Sequence, residues 1–256
     1  MKIISYNVNG IRSALNKGLI DWIKEHQADI YCFQELKANK EDIPTERFEE
    51  LGYSCYWFSA QKKGYSGVGV ITKIKPLEVT YGCGLEQADY EGRVLQLKFS
   101  EFTLINTYFP SGSSGDERQA YKMEFLSEYL DLIKTTLATE NKQLIVAGDY
   151  NICHQAIDIH DPKGNKDSSG FLSEERAWMD QFFEQGMIDS FRIVNQEPHQ
   201  YSWWSFRANA RNNNKGWRID YINVSAALKD HIQHAEILPH IMHSDHCPVE
   251  LVLKFD

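Results

Sequence analysis

The sequence predicts an α/β protein in which two β-sheets pack face to face and helices cover their outer sides. Short apolar segments typical of buried strands recur from one end of the chain to the other. Helix-then-strand units occur in both halves, and no linker separates the halves. Several apolar segments end on Asn, Glu, Asp or His, and strands deliver such groups to one rim of a sheet. We therefore expect one domain over residues 1–256.

Composition supports a folded domain and excludes several classes of protein. The 256 residues are 42% hydrophobic and 12% aromatic, which is enough for a sizeable core. No apolar run is long enough to span a bilayer, and the chain enters KIISYNV without a secretory leader. The five cysteines have no CxxC spacing, which is typical of reduced thiols rather than of disulfides or a zinc site. We expect a cytoplasmic protein with no membrane partner.

The net charge of −9 is only weak evidence against a nucleic-acid partner. A metal-dependent phosphodiesterase concentrates carboxylates at its centre, and these count against the total. What matters is whether basic residues cluster near the same loops. Such clusters follow several candidate strands: Arg12 and Lys17, Lys37 and Lys40, Lys62 and Lys63, Lys163 and Lys166, and Arg207, Arg211, Lys215 and Arg218. Taken singly, each residue is more simply interpreted as solvated surface charge.

The first half of the chain alternates strands with helices. A helix is predicted over Leu15–Gln27, where apolar residues keep the helical period, and a shorter one over Thr45–Leu51. Gly67 and Gly69 flank a strand residue and indicate close packing rather than phosphate binding. Strands are predicted over Lys2–Asn9, Ile30–Glu35, Tyr53–Phe58, Val68–Thr72, Leu77–Tyr81, Val94–Phe99 and Thr103–Tyr108.

The second half continues the same pattern. Glu117–Thr139 carries the longest helical period, and Leu144–Asn151 follows it as a buried strand. The polar segment Asp158–Gly170 predicts a loop, and Ser173–Gln185 predicts a helix with acidic residues in its first turn. The remaining strands are predicted over Trp217–Asn223 and Pro248–Phe255.

The segment Leu144–Asn151, LIVAGDYN, is the most informative strand end. Asp149 and Asn151 stand two residues apart and should point to one face. A carboxylate there can deprotonate or orient a water that the amide holds. In isolation, an Asx turn is the simpler interpretation. Glu35 ends another buried strand, and beside Asn7 it forms a hard-oxygen site suited to Mg²⁺, although a lone strand-end glutamate is more often a surface residue.

A second pair combines an acid with an imidazole. Asp220 lies in the apolar run Trp217–Ile222, where burial is costly unless it has a partner. His246 would be that partner, held in one tautomer and able to carry positive charge against a phosphate. A lone histidine is more often structural, but the setting SDHCP before a strand favours function. Tyr108 ends a strand, where its hydroxyl could donate to a phosphate oxygen; a buried core tyrosine is the alternative.

Other catalytic motifs are missing from the sequence. It contains no G-x-S-x-G, no Walker A loop and no G-x-G-x-x-G that opens a helix. The pairs His231 with His234 and His240 with His243 have no supporting thiolate or carboxylate, so we interpret them as surface or structural residues.

Nine motifs follow one another in order from Ile4 to Pro248: SYNVNGIR, QELK, GYSGVGV, TYFPSG, GDYNICH with Asp158, GFLSEER, YSWWSFR, GWRIDYI and SDHCP. Together they resemble the exonuclease III family of AP endonucleases, within the DNase I-like endonuclease/exonuclease/phosphatase superfamily. The resemblance implies a four-layered α/β sandwich with two central mixed β-sheets flanked by helices. It also implies Mg²⁺-dependent cleavage of DNA 5′ to an abasic site, often with 3′-phosphodiesterase or 3′→5′ exonuclease activity.

The resemblance also implies roles for the candidate residues. Asn7 and Glu35 would form the metal site, with Asp245 as a second or linked acidic position, and Mn²⁺ could substitute for Mg²⁺. Asp149 would activate or orient the attacking water, with Asn151 beside it. The groups that would stabilise the phosphorane-like transition state are His246, paired with Asp220, and Tyr108. Whether one or two metal ions act stays open.

The implied partner is double-stranded DNA with abasic sites or blocked 3′ ends, bound by a monomer. Trp203, Trp217 and Ile219 resemble the apolar pocket that receives a flipped-out baseless sugar; core aromatics are the alternative for the tryptophans. The positions that resemble backbone-contacting loops are Arg12, Lys17, Gly64, Tyr65, Asn165 and Arg207.

Three positions depart from the family pattern. Asn9 stands where some members have aspartate, which weakens a second metal contact. Ser111 replaces a frequent amide side chain, and Arg207 replaces an apolar residue that some relatives insert into the duplex. Two alternatives stay open: a phosphoesterase for RNA, inositol phosphate or phospholipid, and a catalytically silent DNA-binding module. The motifs GYSGVGV and YSWWSFR favour DNA, and the presence of Glu35 and Asp149 disfavours a silent module.

Overall fold

The computed structural model describes residues 1–139 and 143–255, and the elements below are those of these two ranges. The α-helices are α1 (Ile11–Asn16), α2 (Leu19–His26), α3 (Glu46–Glu49), α4 (Glu86–Tyr90), α5 (Asp116–Thr139), α6 (Ser173–Glu184) and α7 (Ser190–Val194). The strands are β1 (Lys2–Asn7), β2 (Ile30–Gln34), β3 (Ser54–Phe58), β4 (Val68–Thr72), β5 (Glu78–Tyr81), β6 (Val94–Lys98), β7 (Thr103–Tyr108), β8 (Leu144–Asp149), β9 (Met187–Asp189), β10 (Trp203–Trp204), β11 (Gly216–Trp217), β12 (Asp220–Ser225), β13 (Ile232–Ile237) and β14 (Val249–Leu253).

Two six-stranded mixed sheets form the centre of the molecule. The first has the order β13-β14-β1-β2-β4-β3 and the second β5-β6-β7-β8-β12-β9, while β10 and β11 form a separate ribbon. Only one pair in each sheet, β1 with β2 and β7 with β8, runs parallel. The two sheets pack on each other through β1, β2 and β4 of the first and β6, β7, β8 and β12 of the second. This arrangement confirms the predicted sandwich.

Alternation along the strands builds the four layers. Ile3 of β1 and Ile145 of β8 point into the apolar interior between the sheets, where they are fully buried. The next residue of β1, Ile4, points outward and packs with α1 and α2. Val146 of β8 likewise packs outward, under α5 and α6. Because both faces of the central strands are buried, these strands are mostly apolar, which is why the sequence predicts them well.

The pairing registers bring several polar strand ends to one rim. Asn7 is aligned with Gln34, the residue before Glu35, in the parallel pair of the first sheet. Tyr108 is aligned with Asp149 in the parallel pair of the second sheet, and Asp220 is aligned with Asp149 from the other side. Side chains from both halves of the chain therefore meet at this rim.

Three sequence predictions need correction. The predicted helix Leu15–Gln27 is wrong in its bounds, because α1 and α2 are separate and meet at Gly18, whose φ of +95° ends the helical path. The predicted strand Trp217–Asn223 is divided between β11 and β12. Asp158, predicted to begin a polar loop, instead ends a 3₁₀ turn and is buried. Within the described ranges, no helix has the length and apolar character to cross a bilayer.

Candidate active site

A cleft of about 360 Å³ opens at the rim where the strand ends meet. Its walls combine carboxylates, an imidazole, hydroxyls and apolar surface. The residues lining it are Glu35, Tyr108, Ser111, Ser113, Asn151, Ser169, Trp203, Trp217, Ile219, Asp245 and His246. Eight of the candidate site residues from the sequence therefore border one cavity.

Asp149 is buried next to the lining residues Asn151 and His246, where its own strand and β1 hold it. Gly148 lets β8 approach β7 closely, since a Cβ on it would lie 1.9 Å from the carbonyl oxygen of Thr107. The Asp149 Oδ1 accepts the backbone N–H of Asn151 at 2.9 Å, and its Oδ2 accepts Asn7 Nδ2 at 2.8 Å. The first of these bonds is the Asx turn that the sequence also allowed. The Asx turn and the candidate site therefore involve the same two residues, Asp149 and Asn151.

Asp149 has an unusual protonation equilibrium. Burial raises the pKa of its carboxyl, and the neighbouring carboxylates of Asp220 and Glu35 add to the effect, while His246 opposes it. The result is a pKa of about 7. A carboxylate with a pKa near neutrality is a strong enough base to take a proton from a water during a reaction.

Asp220 and His246 form a buried ion pair beside it. The Nδ1 of His246 lies 2.9 Å from Asp220 Oδ2, which also accepts the hydroxyl of Ser202 at 2.6 Å. Burial lowers the pKa of His246, but Asp220 and then Asp149 and Asp245 outweigh burial and raise it to about 10. The imidazole is therefore a cation at neutral pH, and its Nε2 lies 3.9 Å from Asp149 Oδ2. The contact predicted between Asp220 and His246 is present.

Glu35, Asp149 and His246 together form the one cluster of candidate metal-ligating groups in the described part of the chain. One ligand atom from each lies within 4.8 Å of the other two. Asn7 Nδ2 bridges the carboxylates, donating to Glu35 Oε1 and to Asp149 Oδ2 at 2.8 Å each. Carboxylate oxygens gathered without enough positive charge, as the raised pKa of Asp149 indicates, suit a hard divalent cation. A protonated His246 cannot be a ligand, so the fit rests on the oxygens.

Asp245 does not belong to this cluster. Its Oδ1 accepts Asn9 Nδ2 at 2.9 Å and the Ser244 hydroxyl at 3.1 Å, and its Oδ2 accepts Trp203 Nε1 at 3.1 Å. Burial raises the pKa of this carboxyl, but His246 and these hydrogen bonds outweigh it and hold the pKa below its ordinary value. Both oxygens already have protein donors, so a role as a metal ligand stays a prediction.

Tyr108 lies over a buried arginine that the sequence did not single out. The guanidinium of Arg93 lies 4.8 Å from the centre of the Tyr108 ring, and its Nη1 donates to the Tyr108 carbonyl at 2.8 Å. Glu91 pairs with Arg93 at 2.5 Å. Burial and the neighbouring Glu35 carboxylate raise the pKa of Tyr108 well above 10. The phenol therefore keeps its proton and can act as a hydrogen-bond donor.

The apolar wall of the cleft consists of Trp203, Trp217 and Ile219. The two indole rings meet edge to face with centroids 5.9 Å apart, and Ile219 is buried beneath them. The loop residue Gly170 passes against Trp217, since a Cβ there would lie 2.9 Å from the ring. Both tryptophans are half-buried, so they pack on a small core and also face the cleft. The core interpretation therefore describes part of their surface, and a pocket for a baseless sugar stays a prediction.

The remaining predicted contact residues lie on loops, except Arg12, which lies on α1. Arg12, Lys17, Gly64 and Arg207 are exposed, and Lys17 Nζ donates to the carbonyl of His243 at 3.0 Å. The Tyr65 hydroxyl accepts from Arg93 at 3.2 Å and Arg118 at 3.1 Å. Asn165 Nδ2 binds the carbonyls of His160 and Asp161 at 3.0 Å each. Ser111 lines the cleft, with its hydroxyl 2.9 Å from that of Ser113.

Sequence reasoning missed a buried ion pair that supports Asn151. Lys122 Nζ donates to the Asn151 carbonyl at 2.8 Å and to Glu175 Oε1 at 2.6 Å, and neither charged side chain is exposed to solvent. Glu175 also accepts the backbone N–H of Gly170 at 2.6 Å. The sequence contained a signal for this pair. Lys122 precedes Phe125 by three residues, so it lies on the apolar face of α5, and a lysine in that position predicts a buried charge that needs a partner.

Comparisons with known proteins identify the family of the chain. A model of the Endonuclease/Exonuclease/phosphatase family matches residues 4–246. The chain is 43% identical to an exodeoxyribonuclease of Bacillus subtilis (strain 168), over 99% of this chain and 100% of that protein. It is 38% identical to a DNA-(apurinic or apyrimidinic site) endonuclease of Dictyostelium discoideum, over 100% of this chain and 71% of that protein.

Solved structures show the same fold over the full length. A 3′-5′ exonuclease (NExo) from Neisseria meningitidis superposes with a TM-score of 0.93 at 26% identity, covering 100% of both chains. An AP endonuclease from Archaeoglobus fulgidus superposes with a TM-score of 0.90 at 28% identity, again covering 100% of both chains. These similarities place the cleft on a scaffold that is used by nucleases.

Proposed function

The chain belongs to the Endonuclease/Exonuclease/phosphatase family, and on that premise we propose that it cuts double-stranded DNA 5′ to abasic sites. It is a hydrolytic nuclease of DNA repair, as the relatives named exodeoxyribonuclease and AP endonuclease indicate. We further propose that the substrate is an abasic site, that the metal ion is Mg²⁺ and that the protein is a monomer.

One observation carries the proposal. A carboxyl with a pKa of about 7, Asp149, faces an imidazolium, His246, across 3.9 Å, and His246 lines an open cleft. A base and a fixed cation so close together can act on a water and on the phosphate that this water attacks. Pairs of titratable groups whose surroundings separate their pKa values are typical of acid–base sites.

The residues divide the work of a phosphodiester hydrolysis. Asp149 orients a water and accepts its proton as the water oxygen forms a bond to phosphorus and the bond to the departing 3′ oxygen breaks. The charge that develops on the non-bridging oxygens is stabilised by the imidazolium of His246 and by the hydroxyl of Tyr108. Asp220 keeps the imidazole oriented and protonated. Asn151 holds the water beside Asp149.

Glu35 would hold the metal ion, with Asp149 next to it. Asn7 turns its Nδ2 toward both carboxylates, and its Oδ1 accepts the backbone N–H of Asn9, so we assign it the role of orienting the two acids, and direct ligation by Asn7 would require its amide to turn over. Mg²⁺, which prefers carboxylate oxygens and retains several waters, fits this donor set, and Mn²⁺ should substitute for it. When bound, it would supply positive charge that polarises the phosphate and stabilises the leaving oxygen. Asp245 stays a proposed linked acidic position.

The apolar wall supports an abasic substrate. A sugar without a base costs less to turn out of the helix than a paired nucleotide, and it carries no polar base edge that the site must satisfy. Trp203, Trp217 and Ile219 would contact this sugar. We assign contacts with the DNA backbone to the exposed residues Arg12, Lys17, Gly64 and Arg207 and to the half-buried Tyr65 and Asn165.

The proposal is tested by incision of a duplex oligonucleotide with one abasic-site analogue, in Mg²⁺ and in EDTA. We expect a single Mg²⁺-dependent cut 5′ to the lesion. Asp149→Asn should reduce its rate about 10²- to 10⁴-fold, the range for a general base, whereas the control Asp21→Asn, on an exposed position of α2, should be unaffected. Intact DNA in every lane would contradict the proposal, and RNA, inositol phosphates and phospholipids would then be the next substrates.

A second activity has its own support. The structural neighbours include a 3′-5′ exonuclease from Neisseria meningitidis and a 3′ phosphatase from Neisseria bound to a product DNA hairpin, with TM-scores of 0.93 and 0.92. The same groups would act on a phosphate at a 3′ end, so we propose removal of 3′-blocking groups as a companion activity. Comparing rates on a 3′-phosphate hairpin and on an internal abasic site tests this directly.

A further inference from the structure

Lys37 forms a close ion pair inside the candidate metal site. Its Nζ lies 2.7 Å from Glu35 Oε2 and donates to Asn9 Oδ1 at 2.5 Å. The two oxygens of Glu35 therefore have different neighbours, because Oε1 accepts Asn7 Nδ2 on the side of Asp149. An ammonium thus already binds one oxygen of the carboxylate that we assign to the metal.

The backbone places Lys37 there. Glu35 and Lys37 both have left-handed φ angles, of +52° and +49°, which turn their side chains back toward one another. The N–H of Leu36 donates to the carbonyl of Gly67 at 3.0 Å, and the N–H of Lys37 donates to that of Ser66 at 2.9 Å. Non-glycine residues adopt this conformation only where the surroundings enforce it. The ion pair is therefore built into the fold.

Asn9 determines which carboxylates this ammonium meets. Its amide oxygen accepts Lys37 and its amide nitrogen donates to Asp245 Oδ1 at 2.9 Å. A neutral amide bridges the two groups, so Glu35 is the carboxylate that Lys37 contacts directly. Lys37 thus lies between Glu35 and Asp245, and its positive charge compensates mainly the negative charge of Glu35.

We propose that Lys37 is the counter-cation of the metal site, which neutralises Glu35 before a divalent cation arrives and weakens the binding of that cation by repulsion. The inference rests on the proposed function, because it concerns the metal ion which that function requires. Like charges a few ångströms apart repel appreciably even at the high effective dielectric of a protein surface. Lys37 acts through Glu35 and is a positioning residue.

The test measures Mn²⁺ binding to the DNA-free protein from the electron paramagnetic resonance signal of free Mn²⁺. Lys37→Met removes the charge, and Lys37→Gln removes the charge but keeps a hydrogen-bonding side chain. Lys40→Met is the matched control, since Lys40 is 69% exposed and its ion pair is with Glu41. We expect about tenfold tighter Mn²⁺ binding in both Lys37 variants and no change in the control.

The direction of the change is decisive. A lysine with a merely structural role would loosen the site when replaced and weaken Mn²⁺ binding, so unchanged or weaker binding in both variants overturns the inference. As a second readout, Mn²⁺ should raise the Tm of the Lys37 variants more than that of the wild type, because tighter binding stabilises the folded state more. If the wild-type protein binds no Mn²⁺ at all, the metal premise of the proposed function fails and the inference fails with it.

Discussion

At the scale of single residues, the site depends on how two buried aspartates share one imidazolium. Asp220 contacts His246 at 2.9 Å, whereas Asp149 lies 3.9 Å from the other ring nitrogen. The closer carboxylate holds the proton on His246, and the more distant one is left with a raised pKa. Similar side chains therefore take different roles, one that orients and one that accepts a proton.

Replacing Asp220 with asparagine should move the alkaline limit of activity to lower pH. Activity requires protonated His246, so it is present below the pKa of about 10 and is lost as the pH rises through it. Without the charge of Asp220, that pKa falls toward the ordinary value of 6.5. The kcat/KM for incision, measured from about pH 6 to pH 9.5, should show the shift; an unchanged alkaline limb contradicts the assignment of His246 as the working cation.

Gly148 is the residue whose size sets the position of Asp149. Gly148→Ala should destabilise the protein by about 1–3 kcal/mol, the cost of overpacking, because the added Cβ would lie 1.9 Å from the Thr107 carbonyl. Gly186→Ala is the control, since Gly186 has a φ of +90° but open space around it. Urea unfolding measures the loss of stability in both variants, and the difference between the two losses is the cost of crowding at position 148 beyond that of backbone strain. If Gly148→Ala costs no more stability than Gly186→Ala, crowding against Thr107 is not what requires a glycine at position 148.

The sequence predicted acidic site residues better than basic ones. Asp149 and Glu35 end apolar strands, and a charged residue directly after an apolar run can be recognised from the sequence alone. Lys37 and Arg93 were not assigned their roles, because basic residues near loops are usually solvated and only three-dimensional contacts distinguish these two. Asp245 also illustrates the limit, since its hydrogen bonds to Asn9 and Trp203 come from distant parts of the chain.

At the scale of elements, α5 and α6 support the site through one buried ion pair. Lys122 on α5 contacts both Glu175 of α6 and the carbonyl of Asn151. Asn151 has a φ of +52°, a left-handed conformation that needs such support. The outer helices therefore hold the turn that presents Asp149, in addition to covering the second sheet.

Replacing one partner of this ion pair should lower the free energy of unfolding more than would be expected from the effect of replacing both partners together. Lys122→Met or Glu175→Gln alone leaves an unpaired buried charge, which costs about 3–5 kcal/mol, while the double variant should lose much less than the sum. Lys134→Met is the control, because its i,i+3 pair with Asp131 is exposed and should contribute at most about 1 kcal/mol. Urea unfolding of the four variants measures this, and additive single effects would contradict the coupling.

Element predictions succeeded where local pattern decides structure. The predicted helix Glu117–Thr139 is α5 to within one residue, because its apolar period runs unbroken. The break at Gly18 was missed, since apolar residues keep the helical period across it. Strands β9, β10 and β13 were not predicted, because they are short or polar and exist through pairing with distant partners.

At the scale of the whole molecule, a buried ion network joins distant segments behind the apolar wall. Asp158 accepts from Arg218 Nε and from Arg192 Nη2 at 2.7 Å each, and Arg218 also pairs with Asp189 at 2.6 Å. Arg218 directly follows Trp217 and precedes Ile219. The network therefore fixes the segment that carries the proposed sugar pocket.

This network should make stability fall in acid. Burial raises the pKa of Asp158, but Arg218 and Arg192 outweigh it and hold the pKa below its ordinary 3.8. A depressed pKa stabilises the fold above pH 3.8, and that contribution is lost as the pH falls through the folded-state pKa. Asp158→Asn should lower Tm near neutral pH and flatten its decline below about pH 4. An equally steep decline in the variant contradicts this role.

In the proposed reaction, water activated at Asp149 attacks a DNA phosphate. The most direct measurement is a single turnover of abasic-site incision in water labelled with oxygen-18, followed by mass spectrometry of both fragments. We expect one labelled oxygen on the 5′-phosphate of the abasic fragment and an unlabelled 3′ hydroxyl on the other fragment. An unlabelled phosphate together with an unsaturated sugar on the 3′ end would show strand cleavage by elimination and would contradict the account.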